Sequence, residues 1–125
     1  MWMVSPELLC RQHLLGEHSE IHKHRHVFVK GYKIDKRIEP IVQIQPSAMK
    51  QRHDELAEEM LRRGYNHRSD YEQPDLSNYP EYQRNAVVDL QTSKTDLISR
   101  CKKCKELIQC INTAGRVSTP ASITT

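Results

Sequence analysis

The chain has 125 residues and a formal net charge of +3, enough for one modest core and too short for two domains. Hydrophobic residues make up 37% and charged residues 28%, with only four Gly, one Phe and one Trp, which argues against a many-stranded β fold. The small net charge permits a nucleic-acid partner without requiring one, because a local basic face matters more than the sum.

The opening Met1-Trp2-Met3-Val4-Ser5-Pro6-Glu7 lacks the basic segment and apolar stretch of a signal peptide. Nor does any apolar run approach the roughly 20 residues of a membrane span. The expected setting is the cytoplasm, or a host's cytoplasm for a viral source. There Cys10, Cys101, Cys104 and Cys110 stay reduced, without a disulfide framework.

Ser5-Pro6-Glu7 reads as a helix start with Ser5 as N-cap, opening a first helix over residues 6–27. On a helical wheel Cys10, Leu14, Ile21 and Phe28 form an apolar stripe, beside a polar one of His13, Glu17, Glu20 and His24. Gly16 in mid-helix suggests that something approaches the backbone closely. Residues 30–45 read as a basic, Pro-containing linker with a short alternating piece, Ile41-Val42-Gln43-Ile44.

A second helix is expected over 47–63, with Met49, Leu56, Ala57, Met60 and Leu61 toward the core and Gly64 as its stop. Residues 65–86 are polar and turn-rich, a long surface loop. Asp89 should cap a third helix over 90–111, with Leu90, Leu97, Ile98, Cys101, Cys104, Ile108 and Ile111 at helical spacing. Residues 113–125 are small and polar and read as a disordered tail. The expected architecture is all-α: one domain over 1–112, three main amphipathic helices and long connecting loops.

Glu20 lies one turn from Glu17 and seven residues from His13, so the three share a stripe. A carboxylate between a core and a second carboxylate should have a raised pKa and serve proton transfer or cation stabilisation. The same spacing also suits a solvated face of Glu17, Glu20 and Lys23. His18, His22, His24 and His26, beside Lys23, Arg25 and Lys30, read as a phosphate-facing segment or a solvated face, and complete no recognised metal motif. Cys101-Lys102-Lys103-Cys104 is half a zinc motif, with Cys110 and Cys10 available, yet its spacing equally matches the core stripe of the third helix. Arg100, Lys102, Lys103 and Lys105, like Arg62 and Arg63, can contact phosphates or simply face water.

Two stretches carry a family resemblance. Gln12-His13-Leu14-Leu15-Gly16-Glu17-His18-Ser19-Glu20 resembles the opening helix of the small phage and bacterial pyrimidine-dimer DNA glycosylase/AP lyases. Arg52 through Asn66, ending in Arg63-Gly64-Tyr65-Asn66, is similar to their second helix and the turn that closes it. The resemblance covers roughly residues 4–30 and 46–68.

It implies an N-terminal α-amine that attacks C1′ of the damaged nucleotide, displaces the base and leaves a Schiff base. Glu20 would stabilise the cationic sugar and shuttle protons for β-elimination, while His13 would hold the substrate or orient that carboxylate. Gln12, Arg11, Lys23, His24, Arg25, Arg100 and Lys103 would contact DNA. The partner would be double-stranded DNA with a damaged or modified base, kinked, with a nucleotide extruded. No metal or other cofactor is implied, and the protein would act as a monomer.

In ungapped comparison the chain starts about two residues short of the family's amino terminus, about 7 Å of extended chain. Only the amine of Met1 can then serve, and the bulk of Trp2 should prevent removal of that methionine. Ser19 and Lys23 stand where the family has arginines, and the family's aromatic C-terminal segment is replaced by Thr113 to Thr125. Two other readings compete: a non-catalytic DNA-binding module of the same fold, and a zinc-stabilised helical interaction protein built on Cys10, Cys101, Cys104 and Cys110.

Overall fold

The computed structural model describes residues 1–67 and 70–117, with side chains described up to residue 109. Among the described residues the protein is helical, without strands. The helices are α1 (Arg11–Val29), α2 (Asp35–Ile38), α3 (Met49–Arg62), α4 (Glu81–Arg84), α5 (Leu90–Arg100) and α6 (Lys102–Val117), with 3-10 turns at Pro6–Leu8 and Pro46–Ala48. None is long and apolar enough to cross a membrane. Packing of α1 on α3 and of α5 on α6 surrounds one core.

The first expected helix is interrupted. Pro6–Leu8 forms a single 3-10 turn, Leu9 and Cys10 are extended, and α1 begins only at Arg11. Ser5 makes no cap; its hydroxyl donates to Glu7 instead. The elbow lets Leu9 and Cys10 both enter the core. Arg63 repairs the exposed backbone there, donating to the carbonyls of Leu9 (2.7 Å) and Pro6 (3.2 Å). Beyond the elbow, the expected stripe of Cys10, Leu14, Ile21 and Phe28 is buried.

The second expected helix stands, preceded by its Pro46 turn. Met49, Leu56, Ala57 and Met60 are buried, but Leu61 is 58% exposed. Its place on the buried side is taken by Arg52 and His53, polar residues that an apolar wheel ignores. The stop is a Schellman closure: Tyr65 N–H donates to Met60 C=O and Gly64 N–H to Leu61 C=O, with Gly64 at φ +85°.

The third expected helix is two helices. Asp89 caps α5 as expected, accepting from the amides of Gln91 and Thr92, but Cys101 is extended (φ −133°, ψ 111°) and divides α5 from α6. A continuous helix over 90–111 would run about 33 Å in one direction, which would carry its second half away from the core residues it packs against. The break folds α6 back so that Leu97, Cys104 and Ile108 share the core, while Leu90 is 48% exposed. Helix α6 continues through Val117 into the segment expected to be a tail. The rest of that segment, 118–125, and the side chains of Cys110 and Ile111 lie outside the described residues.

The linker and loop also bury more than expected. Ile34, Ile38 and Ile44 from the linker, and Tyr71 and Gln83 from 65–86, are buried.

One buried ion pair joins α1 to α3. Arg52 Nε donates to Glu17 Oε2 at 2.7 Å and Nη2 to Oε1 at 2.9 Å, with both side chains almost fully enclosed. Glu17→Ala should lower stability by about 3–5 kcal/mol by leaving the Arg52 charge unpaired, whereas Glu17→Leu with Arg52→Met should recover most of the loss. Urea midpoints of the three proteins read this out. Equal destabilisation by the single and double changes would show that the pair acts otherwise.

Candidate active site

The first residues thread over the surface left between α1, the linker and α5. Ser93 of α5 donates to the carbonyl of Trp2 at 2.6 Å. Met3 adopts φ +60°, a left-handed backbone uncommon for such a side chain. On either side of that turn Val4 and Met1 both enter the core. The side chain of Met1 is enclosed and its sulfur accepts from the amide of Gln45 at 3.3 Å. Its amine donates to Glu20 Oε1 at 3.1 Å and to the carbonyl of Gln43 at 2.7 Å. The amine therefore reaches the carboxylate directly, across the gap that the ungapped comparison left open.

Glu20 itself is 47% exposed, so the carboxylate lies open to a large substrate, whereas Met1 is buried beside it. Its environment differs from the expectation. Glu17 is neutralised by Arg52 rather than left beside Glu20 as a competing charge. The His24 ring, 3.8 Å away, lowers the Glu20 pKa most; burial pushes it up and the Met1 amine lowers it further, to about 2. The expected raised pKa is thus overturned: Glu20 is a carboxylate at neutral pH, suited to stabilising positive charge rather than donating a proton.

His13 turns away from this pair. Its Nδ1 lies 3.2 Å from Cys10 Sγ and 3.6 Å from Cys104 Sγ, and its ring meets Trp2 edge-on at 5.8 Å. Cys10 Sγ is also 3.8 Å from Cys101 Sγ. The expectation that Cys101 and Cys104 turn inward holds for Cys104, which is fully buried, while Cys101 is half-buried. Burial pushes the Cys104 thiol up to about 12. Cys101 sits below its ordinary value, burial being outweighed by contacts from Cys104 and Cys10.

The histidine run divides. His18 and His22 face inward, not toward phosphates or water. His18 Nε2 lies 3.1 Å from His53 Nε2 and 2.8 Å from His67 Nε2, with His22 and Tyr71 against the same rings. Burial and then the neighbouring imidazoles lower His18 to about 4. Sequence reasoning missed His53, His67 and Tyr71: His53 is a polar residue inside the apolar pattern of α3, and His67 and Tyr71 lie in the stretch that reads as a surface loop. Among the described residues, two groups of side chains offer donor atoms within 4.8 Å of one another, close enough to share a metal ion: Cys10, His13, Cys101 and Cys104, and His18, His53 and His67.

A family model described as pyrimidine dimer DNA glycosylase matches residues 1–73, the segment that supplies the amine, Glu20 and the α1–α3 pair. The chain belongs to that family. Comparison with curated proteins and with solved structures finds no match. Membership of the family implies a DNA glycosylase that acts in repair and binds DNA.

Gln12, Gly16, Ser19 and Lys23 of this family member form one exposed line along α1, with Glu20 at its border. A Cβ added at Gly16 would meet nothing within 4 Å, so the close approach expected there is not made by the protein itself. Arg11 is exposed and lies over the Tyr65 ring at 5.1 Å. His24 contacts Glu20, and Arg25 is bound to Glu72 through the backbone carbonyl (2.7 Å) and the carboxylate (3.6 Å). Arg100 pairs with Asp96 at 2.9 Å, and Lys103 is exposed at the start of α6.

The Glu20 geometry sets a pH signature. Its folded pKa lies below the ordinary value of 4.5, so its contribution to stability is complete above about 4.5 and is lost as pH falls through about 2. The Glu20 carboxyl carbon resonance should therefore stay in its ionised position down to about pH 3. Titration near 4.5 would contradict the contacts with His24 and the amine.

Proposed function

We propose that this family member is a DNA glycosylase with AP lyase activity on pyrimidine dimers or related altered bases in duplex DNA, with Met1 and Glu20 as its catalytic residues. The observation that carries the reading is the 3.1 Å contact between the Met1 amine and the exposed Glu20 carboxylate.

An α-amine titrates roughly two to three units below a lysine, so as a class such amines furnish free-base nucleophile near neutral pH. The amine nitrogen forms a bond to C1′ as the glycosidic bond breaks, and its electron pair leaves with the base, which takes up a proton. Ring opening yields an iminium at C1′. Loss of a C2′ proton then expels the 3′ phosphate by β-elimination. The negative carboxylate of Glu20 offsets the positive charge that develops on the sugar and accepts the C2′ proton. His13, directed at the thiols, acts as a positioning residue through its contact with Trp2.

The exposed line of Gln12, Gly16, Ser19 and Lys23 is the DNA-facing edge, with Lys23 as a phosphate contact and Arg11 and Lys103 as outlying cations. Arg25, His24 and Arg100 have carboxylate partners and serve mainly to shape that face. One bound molecule per lesion and a monomeric protein fit this reading.

Borohydride should trap a covalent adduct between the protein and abasic-site DNA, and acetylation of the amino terminus should abolish it. Glu20→Gln should leave duplex affinity within about twofold while cutting strand cleavage by about 100-fold or more, because the lost charge matters chiefly in the transition state. DNA binding without any trapped adduct would instead favour a non-catalytic module of this fold.

A separate measurement addresses the binding face. Gly16→Ala should stabilise the protein by about 0.5–1 kcal/mol through helix propensity, yet weaken DNA binding if the phosphate backbone approaches this notch. Unchanged affinity would move the DNA-facing edge elsewhere.

A further inference from the structure

Four donor atoms from distant parts of the chain converge beside the N-terminal segment, at a place the proposed chemistry touches only through the His13–Trp2 contact. They come as two short pairs, Cys10-x-x-His13 at the elbow entering α1 and Cys101-x-x-Cys104 at the break between α5 and α6. The geometry points to a structural zinc site of three cysteine thiolates and one histidine, Cys10, His13 (through Nδ1), Cys101 and Cys104, that ties the amino-terminal segment to the α5–α6 junction.

The distances distinguish this set from ordinary packing. Tetrahedral zinc, with Zn–S about 2.3 Å and Zn–N about 2.0–2.1 Å, requires S···S edges near 3.8 Å and S···N edges near 3.5 Å. The chain has Cys10 Sγ–Cys101 Sγ at 3.8 Å, Cys104 Sγ–His13 Nδ1 at 3.6 Å and Cys10 Sγ–His13 Nδ1 at 3.2 Å. All four donors lie within 4.8 Å of one another. Cysteines packed simply as small hydrophobes have no reason to aim three sulfurs and a ring nitrogen at one point.

Backbone donors reach two of the sulfurs. The amide of Cys10 donates to Cys104 Sγ at 3.2 Å and that of Cys104 to Cys101 Sγ at 3.5 Å. Cys10 is the N-cap of α1, and Cys101 immediately precedes α6, so the positive ends of two helix dipoles face the sulfurs. Lys102, Lys103 and Lys105 supply exposed positive charge around a centre whose net charge with Zn²⁺ is negative. Trp2 lies against the His13 ring. All four positions are ligand-complete, with no place left for water or substrate, which marks a structural rather than a catalytic metal.

Zinc binding displaces the thiol protons and connects residues 10 and 13 to residues 101 and 104. It thereby accounts for both places where the chain leaves the helices expected from its sequence: the elbow and the break each swing a ligand into reach. It also holds Trp2, and through it the segment that ends at the Met1 amine.

The test uses the full chain, purified under reductant without chelator, and needs no DNA, so its outcome is independent of the glycosylase reading. Elemental analysis should give about one zinc per chain. Cobalt substitution should give thiolate-to-metal charge-transfer bands and the intense visible bands of tetrahedral coordination. Chelation should lower the melting temperature, and zinc should restore it. Cys101→Ser and Cys104→Ser should each lose the metal, His13→Cys should keep it as a four-thiolate site, and Cys110→Ser should retain the full zinc content. Where a serine variant fails to fold, cobalt titration of the unmodified chain decides alone. Absence of zinc together with an octahedral cobalt spectrum would overturn the site. Loss of metal in Cys110→Ser with retention in His13→Ala would overturn this ligand set.

Discussion

The bidentate contact between Arg52 and Glu17 sets the relation of α1 to α3, and the rest of the structure follows from it. Both side chains are almost fully enclosed, so neither can rotate toward water without leaving a buried charge. A planar guanidinium held by two parallel hydrogen bonds fixes direction as well as distance. With Glu17 pinned, His18 must meet His53, and Glu20, one turn further on, must emerge at the rim. Relieving Glu17 of its charge also separates the fates of two carboxylates on one helix. One serves the fold, and the other stands beside an amine.

The position of that amine is a backbone achievement. The left-handed turn at Met3, the Ser93 bond to Trp2 and the acceptors at Gln43 and Glu20 come from separate parts of the chain. Amino termini usually fray unless tied down; here the first residue is buried and bonded like a core residue. The DNA glycosylase family to which the chain belongs is matched over 1–73, and the structure shows why that part is not self-sufficient. Residues of α5 and α6 hold the segment on which Met1 sits.

The polar residues of α1 divide by face. Glu17, His18 and His22 turn toward α3 and the loop after it, where imidazoles and Tyr71 pack ring against ring. Gln12, Gly16, Ser19 and Lys23 stay outside. The helix consequently carries polar groups on most of its circumference and still folds, because Glu17 and His18 find hydrogen-bonding partners on α3 and His22 packs against the His53 ring.

Much of this was legible in the chain itself. The 3.6-residue period of Cys10, Leu14, Ile21 and Phe28, the Asp89 cap and the Gly64 stop are local signals, and local physics determines them. The adjacency of Glu17 and Glu20 was legible too, as was the pair of motifs that marks the family. Other features required the folded molecule. Whether a carboxylate is raised or lowered depends on what lies across from it: His24 is a local i+4 neighbour of Glu20, but Arg52 and the Met1 amine reach Glu17 and Glu20 only after the chain packs. The elbow at Leu9–Cys10 and the break at Cys101 contradict local periodicity because tertiary burial outweighs helix propensity, a preference worth only tenths of a kcal/mol per residue. His13 joined the cysteines rather than Glu20 for the same reason: sequence spacing assigns a residue to a face, and only packing decides what that face meets.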